Sequence, residues 1–215
     1  RAIVSVAKEL AERASATREI WLHISGSLPG DAIRVSPKIP LAAGAMHPLC
    51  ALDGRSDSLK GCVAGIDGDA LARETGAALA GQMEMLPLPL EGDQKPLYHA
   101  AAVTVAGHAV ALFSQAVDML AACGIEDEMA ARALLPLMRS AIEKLEHLAP
   151  REAMTGPVPR GDSCTVSSHL QAMDELRPDA QQTYRHLART ALRLMQGKIE
   201  NVDHDQLADV LDAQT

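Results

Sequence analysis

Apolar and polar positions along the chain follow two rhythms, and the change between them falls near Glu91. Before it, short apolar runs alternate with helical stretches. Val4, Ala7, Leu10 and Ala11 recur at helical spacing and predict a helix over Ala2–Arg13. Ile20–Ile24 is a β-rich run that stops at Ser25-Gly26-Ser27, and a second run, Ala42–Met46, ends at His47-Pro48. The third, Cys62–Ile66, leads into Asp67-Gly68-Asp69, which suits the cap of a helix over Ala70–Ala80. Met83–Leu88 predicts a last strand, closed by Pro87 and Pro89. Strands separated by helices or long crossovers imply a parallel or mixed sheet with helices packed on it.

After Glu91-Gly92-Asp93 the pattern becomes helical throughout. Val103, Ala106, Val110, Phe113, Val117 and Leu120 keep one spacing from Lys95 to about Cys123, broken only by Gly107, and Gly124 stands where a helix C-cap prefers it. Leu134, Met138, Ala141, Leu145 and Leu148 form the stripe of a second helix, about Asp127–Leu148, with a kink expected at Pro136. A loop from Pro150 to Pro159 precedes a shorter helix near Ser163–Met173 and a long one over Ala180–Gln196. An acidic tail after Gly197 carries a short helix about Gln206–Leu211. The fold class expected is therefore α/β followed by all-α, with domains 1–91 and 92–215.

Composition sharpens this. Aromatic residues make up only 2% of the chain, so its cores must be built from Ala, Leu, Val and Met, which favours closely packed helices over a β-sandwich. A net charge of −8 argues against a nucleic-acid partner, because neutralising phosphates needs clustered Lys and Arg. Cys50, Cys62, Cys123 and Cys164 are scattered without a C-x-x-C pair and read as buried free thiols in a reducing cytoplasm. No apolar run approaches the roughly 18 residues of a membrane span, and a cytoplasmic protein without a membrane partner is expected. Arg1 leads straight into a helical pattern with no capping residue, which raises the expectation of a missing upstream segment.

The densest chemistry lies in Gly92-Asp93-Gln94-Lys95-Pro96-Leu97-Tyr98-His99. Proline favours the first turn of a helix, so Lys95 sits at the helix start and shares a face with His99 four residues on. An amine and an imidazole in one cleft can exchange protons with a carbonyl being reduced; the alternative is a solvated Lys95 and a locally packed His99. His99 and His108 lie nine apart, on opposite helix faces, and no H-E-x-x-H occurs, so no metal site is expected. His23, Ser25, Gly26 and Ser27 stand at one predicted strand end and His47-Pro48 at another, where open α/β sheets form ligand crevices, although such residues also serve as plain turns. Ser25 is in no G-x-S-x-G elbow, which excludes that hydrolase arrangement. Thr155-Gly156-Pro157-Val158-Pro159-Arg160-Gly161-Asp162 offers Arg160 as a clamp for a carboxylate or phosphate, or Asp162 or Ser163 as a helix cap.

Trp21–Gly26, Met46–Leu52, Lys95–Val103 and Thr155–Thr165 with His169-Leu170, taken in order, resemble a family of bacterial Rossmann-like proteins. Its members pair an N-terminal NAD(P)-binding domain with a helical domain like that of 6-phosphogluconate dehydrogenase. The resemblance implies a cytoplasmic NADP- or NAD-linked oxidoreductase acting on a small-molecule carbonyl or hydroxy substrate, and a homodimer through the helical domain. Ser25, Gly26, His47 and Pro48 would line the nicotinamide side, while Tyr98 and Arg160 would contact substrate. The block Gly92-x-x-Lys95-x-x-x-His99 is similar to the G-x-x-K-x-x-x-N signature of β-hydroxyacid dehydrogenases, in which the Lys is the general acid/base; here His99 replaces the Asn.

The family's Gly-rich turn, G-x-G-x-x-G, does not occur in this sequence. Without it pyrophosphate lacks its backbone donors, so the chain alone is expected to bind NADP weakly or not at all. Two other readings stay open. One is a non-catalytic dimerisation or regulatory module. The other is a prephenate-dehydrogenase-like enzyme, since Gly44-Ala45-Met46-His47-Pro48-Leu49 resembles the G-x-H-P-M turn of those enzymes.

Overall fold

The structure is a computed structural model that describes residues 2–13, 19–36, 41–51, 59–174, 176, 178–195 and 204–213. It divides into two compact units, 1–110 and 111–215. The division falls inside a helix, later in the chain than the point near Glu91 where strands give way to helices.

The first unit is built on a four-stranded sheet in the order β1-β2-β3-β4. Its strands are β1 (Glu19–His23), β2 (Leu41–Leu49), β3 (Val63–Gly68) and β4 (Leu86–Pro89). β1 and β2 run parallel, β2 and β3 antiparallel, and β3 and β4 parallel. Helices α1 (Ala2–Arg13) and α2 (Ala70–Gln82) accompany the sheet, as their apolar spacing predicts. Two small clusters of side chains fill this unit. Met46, Ala64, Ile66, Ala80 and Met85 pack together between sheet and α2, and Ala7, Ile33 and Ala43 pack beneath α1. Alanine and methionine thus do the work that aromatics do elsewhere, and short side chains bring helix and sheet close.

Several elements differ from the sequence pattern. β2 does not end before His47-Pro48 but carries both, with His47 opposite Gly65 and Pro48 opposite Ala64. β1 stops opposite Ala45, so beyond that point β2 is paired on one side only, the position where a proline is tolerated. β4 starts later than expected and contains Pro87 and Pro89; it is the edge strand, which again accommodates proline. Asp69 stands at the N-cap of α2, but its carboxylate is taken by Arg34 at 2.6 Å and the Ala43 N–H at 2.9 Å instead of capping the helix.

The long helix expected from Lys95 is two helices, α3 (Lys95–Val105) and α4 (Gly107–Ala122), interrupted at Ala106. α5 (Asp127–Leu145) runs through Pro136. The expected loop 150–159 holds two one-turn helices, α6 (Pro150–Ala153) and α7 (Pro157–Arg160), each opened by a proline. α8 (Ser163–Ala172), α9 (Pro178–Met195) and α10 (His204–Asp212) complete the chain, while the start of the acidic tail, 197–203, lies outside the described residues.

The helical unit has its own core of Val158, Val166, Leu170, Ala188, Ala191, Leu192, Leu207 and Leu211. Arg185 and Arg189 close the C-terminal end of α10 by donating to the carbonyls of Val210 and Leu211. Those carbonyls have no partner within the helix, and cations there also match its dipole.

The expectation that no apolar stretch suits a membrane span needs correction. The helical stretch Gly92–Ala122 is long and apolar enough by length and composition, and none of its most apolar window is buried. Leu97, Val105 and Val110 of this stretch are exposed.

Where β2 and β3 pair, Gly44 faces Gly68, and the 3-10 turn Gly30–Ile33 lies directly on both. Gly68 has φ 131°, and a Cβ there would overlap the Ala43 carbonyl and come within 2.5 Å of the Gly44 Cα. Gly68→Ala is therefore expected to destabilise the first unit by about 2–4 kcal/mol, from backbone strain plus overlap with a rigid strand. A denaturant-unfolding midpoint showing a loss below about 0.5 kcal/mol, the usual surface effect, would contradict this packing.

Candidate active site

A short tight segment joins β4 to α3 and sets the position of one lysine. Arg73, on α2, holds Glu91 through two bonds of 2.7 and 3.0 Å, and the Gln94 side chain accepts from the Glu91 N–H at 2.9 Å. With the chain pinned there, Gln94 is the N-cap of α3, Lys95 the first helical residue and Pro96 the next. Lys95 is 0% exposed, and its Nζ has no hydrogen-bond partner among the described residues. Burial drives its pKa below the ordinary lysine value, opposed only in part by the Asp67 carboxylate.

Asp67, at the end of β3, is itself buried. It accepts from the Gly30 N–H at 2.6 Å and has Arg73 at 4.0 Å. The carboxylate acts on Lys95 by charge and makes no hydrogen bond to it.

Two imidazoles lie within the electrostatic reach of the same amine. His23, the last residue of β1, donates from Nε2 to the Pro29 carbonyl at 3.0 Å and accepts at Nδ1 from the Ser25 N–H at 3.2 Å. Because a carbonyl can only accept, these partners fix the neutral tautomer. Burial lowers its pKa, with Lys95 pressing the same way. His47 is also lowered by burial, then by Lys95 and His99. Its Nδ1 lies 3.0 Å from the Tyr98 hydroxyl. Burial pushes the Tyr98 phenol up, so it keeps its proton; the hydroxyl also reaches the His47 carbonyl at 3.4 Å, so Tyr98 holds both the ring and the backbone of His47.

The Nε2 end of the His47 ring faces Gly26. A Cβ at Gly26 would fall 2.5 Å from the His99 Cδ2 and 2.8 Å from the His47 Cε1 and Nε2, so only glycine fits between these rings. The rings of His47 and His99 meet edge to face with centroids 5.9 Å apart. The outcome is one buried amine, one carboxylate, three imidazoles and a phenol, carried by three strands and the start of one helix.

The residues singled out in the sequence distribute as follows. Lys95, Tyr98 and His99 occupy one face of the first turn of α3, and His47 and Gly26 join them. The alternative of a solvated Lys95 is ruled out by its burial. Ser25 is nearby, but its hydroxyl accepts from the Ser27 and Leu28 amides at 3.3 and 3.2 Å and so holds the turn. Pro48 follows His47 in β2, where successive side chains point to opposite faces. Asp67 reads from sequence only as a helix cap and His23 as one of the strand-end residues of the expected crevice; the sheet register brings both within electrostatic reach of Lys95.

Arg160 belongs to the helical unit, exposed at the end of α7. Asp162 is the N-cap of α8, accepting from the Thr165 N–H at 3.0 Å, which is the structural role available to it from sequence. Thr155, Pro157 and Val158 of the same motif line a largely apolar cavity of about 440 Å³, together with Tyr184. The Tyr184 hydroxyl lies 2.8 Å from the His169 Nδ1. The cavity has volume but little ionisable chemistry, and the Lys95 cluster has the reverse. Among the described residues no group of three or more His, Cys, Asp or Glu is placed to hold a metal ion.

Residues 62–191 match the family described as "Domain of unknown function (DUF2520)", and the chain belongs to that family. Two solved structures share its fold. One is protein TM1727 from Thermotoga maritima, 19% identical with a TM-score of 0.75, the match covering 89% of this chain and 73% of that one. The other is BF3122 from Bacteroides fragilis, described as a candidate NADP oxidoreductase, 21% identical with a TM-score of 0.71, covering 88% and 71%. No curated protein matches the sequence. The expected fold class, a partial Rossmann-like sheet followed by a helical domain, is the one these structures share.

Lys95→Met keeps the volume of the stem and removes the unpartnered amine. It is expected to raise stability at neutral pH by about 1–3 kcal/mol, the cost of an unsatisfied buried group. Between the lowered pKa of the folded state and the ordinary lysine value, the unfolded chain binds more protons. Wild-type stability therefore rises with pH through that window, and the advantage of the variant shrinks. Urea unfolding at neutral and alkaline pH checks both signs; a variant less stable than wild type would contradict the orphaned amine.

Proposed function

For this member of the DUF2520 family, we propose an NADP- or NAD-dependent oxidoreductase that acts on a small carbonyl or hydroxy compound. The observation that carries the proposal is Lys95, a buried amine without a hydrogen-bond partner, surrounded by neutral imidazoles. A structural lysine would be paired or solvated; an orphaned one with a lowered pKa is poised to meet a ligand oxygen. The description of BF3122 and the family resemblance support the choice of cofactor.

When bound, the nicotinamide supplies or receives the hydride. The residues of this chain bind, orient and move protons. Lys95 Nζ gives a proton to the substrate oxygen during reduction and takes it back in the reverse direction. Asp67 keeps enough negative charge near Lys95 for the ammonium form to be reached. His99 positions the substrate, and Tyr98 acts through His47 by holding its ring in place. Gly26 keeps the space between the two rings free, and with Ser25, His47 and Pro48 is assigned to the nicotinamide side. The small residues and the vacant hydrogen bonds of Lys95 suit the reacting end of such a cofactor, whereas the pyrophosphate cradle G-x-G-x-x-G is not among these residues.

We also place the protein in the cytoplasm, where its four free thiols are at home. Its second copy is the partner proposed for the exposed apolar residues of α5, Leu135, Leu137, Ile142 and Leu145 among them. Sedimentation velocity at micromolar concentration is expected to give a dimer; a stable monomer would remove this part of the proposal.

The catalytic role is tested by following oxidation of saturating NADPH with a panel of small aldehydes, ketones and keto acids. Lys95→Ala is expected to lower kcat by about 100-fold or more, the usual share of general acid catalysis, with little change in NADPH affinity. His99→Ala is expected to act mainly on KM. Equal losses of kcat and NADPH affinity in Lys95→Ala would remove Lys95 from the acid/base role.

A further inference from the structure

The two cysteines read from sequence as isolated thiols are brought together by the sheet. β2 and β3 pair antiparallel with Leu49 opposite Val63, and the next step along the same register places Cys50 opposite Cys62. Directly opposed residues in an antiparallel pair have Cα atoms about 4.5 or 5.5 Å apart, depending on the hydrogen-bonding position. Both values fall within the roughly 4.4–6.8 Å that a disulfide bridges without backbone movement. The two side chains are close enough for the Cys62 sulfur to act directly on the Cys50 thiol. Both residues are half-buried.

We propose that Cys50 and Cys62 are a covalent modification site, a cross-strand dithiol that a hydroperoxide oxidises reversibly to a disulfide. The thiolate sulfur of Cys62 attacks one peroxide oxygen, the O–O bond breaks and an alcohol or water leaves, which converts Cys62 to a sulfenic acid. The Cys50 sulfur then attacks the Cys62 sulfur, the S–O bond breaks and a second water leaves with the Cys50 proton. The two sulfurs give up two electrons in total, and the peroxide takes them. Cys62 is the first nucleophile because burial and the neighbouring sulfur push the Cys50 thiol up and so disfavour its thiolate. The pair adjoins the candidate active site, since Cys50 follows His47 by three residues and acts electrostatically on Tyr98.

The test uses the full chain, reduced, then treated with hydrogen peroxide, alkylated and analysed by intact mass and tryptic mapping. Trypsin cuts between the two cysteines at Arg55 and Lys60, so a disulfide joins peptides 39–55 and 61–73. The expected result is a loss of about 2 Da, that one cross-linked peptide pair, and two of the four cysteines still alkylated, all reversed by dithiothreitol. In Cys50→Ser, Cys62 is expected to hold a sulfenic acid trapped by dimedone, with no cross-link. Four alkylatable thiols after peroxide treatment, stable sulfinic acid at Cys62 of the wild-type chain, or cross-links that run mainly to Cys123 or Cys164 would each overturn the proposal.

Discussion

A lysine amine taken out of water and given no hydrogen-bond partner costs free energy that the rest of the unit must offset. Lys95 is in that condition, and the surrounding geometry can be traced to holding it there. The Arg73–Glu91 pair and the Gln94–Glu91 bond lock the entry to α3. Gly30, lying across Gly44 and Gly68, directs its N–H to Asp67, so the nearby carboxylate is anchored by backbone and is not free to swing over and neutralise the amine. A partner at full hydrogen-bonding distance would have made Lys95 an ordinary buried ion pair. Holding Asp67 back leaves the amine available.

The imidazoles follow from the same arrangement. A site with a cationic amine and low solvent access keeps nearby histidines neutral, and both His23 and His47 are shifted that way. Neutral histidines have one donor and one acceptor nitrogen, so their roles depend on what fixes the tautomer. His23 has both nitrogens engaged by backbone and is part of the scaffold. His47 has one nitrogen tied to Tyr98 and the other turned toward the space that Gly26 leaves open. Of the two rings, His47 is the one with a group to offer a ligand.

The helical unit obeys a different constraint. With so few aromatics, its core is a compact knot of Val, Leu and Ala among α7, α8, α9 and α10, closed by arginines on the end of α10. α3, α4 and α5 bury little of their apolar surface within the chain. Their periodicity is clear in sequence, and that periodicity says which face is apolar without saying what covers it.

Helical periodicity and the position of Pro96 determined the two-part organisation, the start of α3 and the shared face of Lys95, Tyr98 and His99, because these are local properties of spacing and backbone restriction. The composition likewise determined that alanine, leucine, valine and methionine would build the cores. The depth of Lys95 could not be read, since a lysine at a helix start is usually solvated and only the packing of neighbouring elements removes the water. Asp67 joined the site through strand register, a non-local pairing that leaves no trace in its spacing, and the same register brought the strand-end His23 within electrostatic reach of Lys95. The same register turned Cys50 and Cys62, which share no C-x-x-C spacing, into neighbours. The extension of β2 through Pro48 was decided by β1 ending early, which made that stretch an edge. Spacing along the chain fixed what each segment could be; the pairing of β2 with β3 fixed which residues meet.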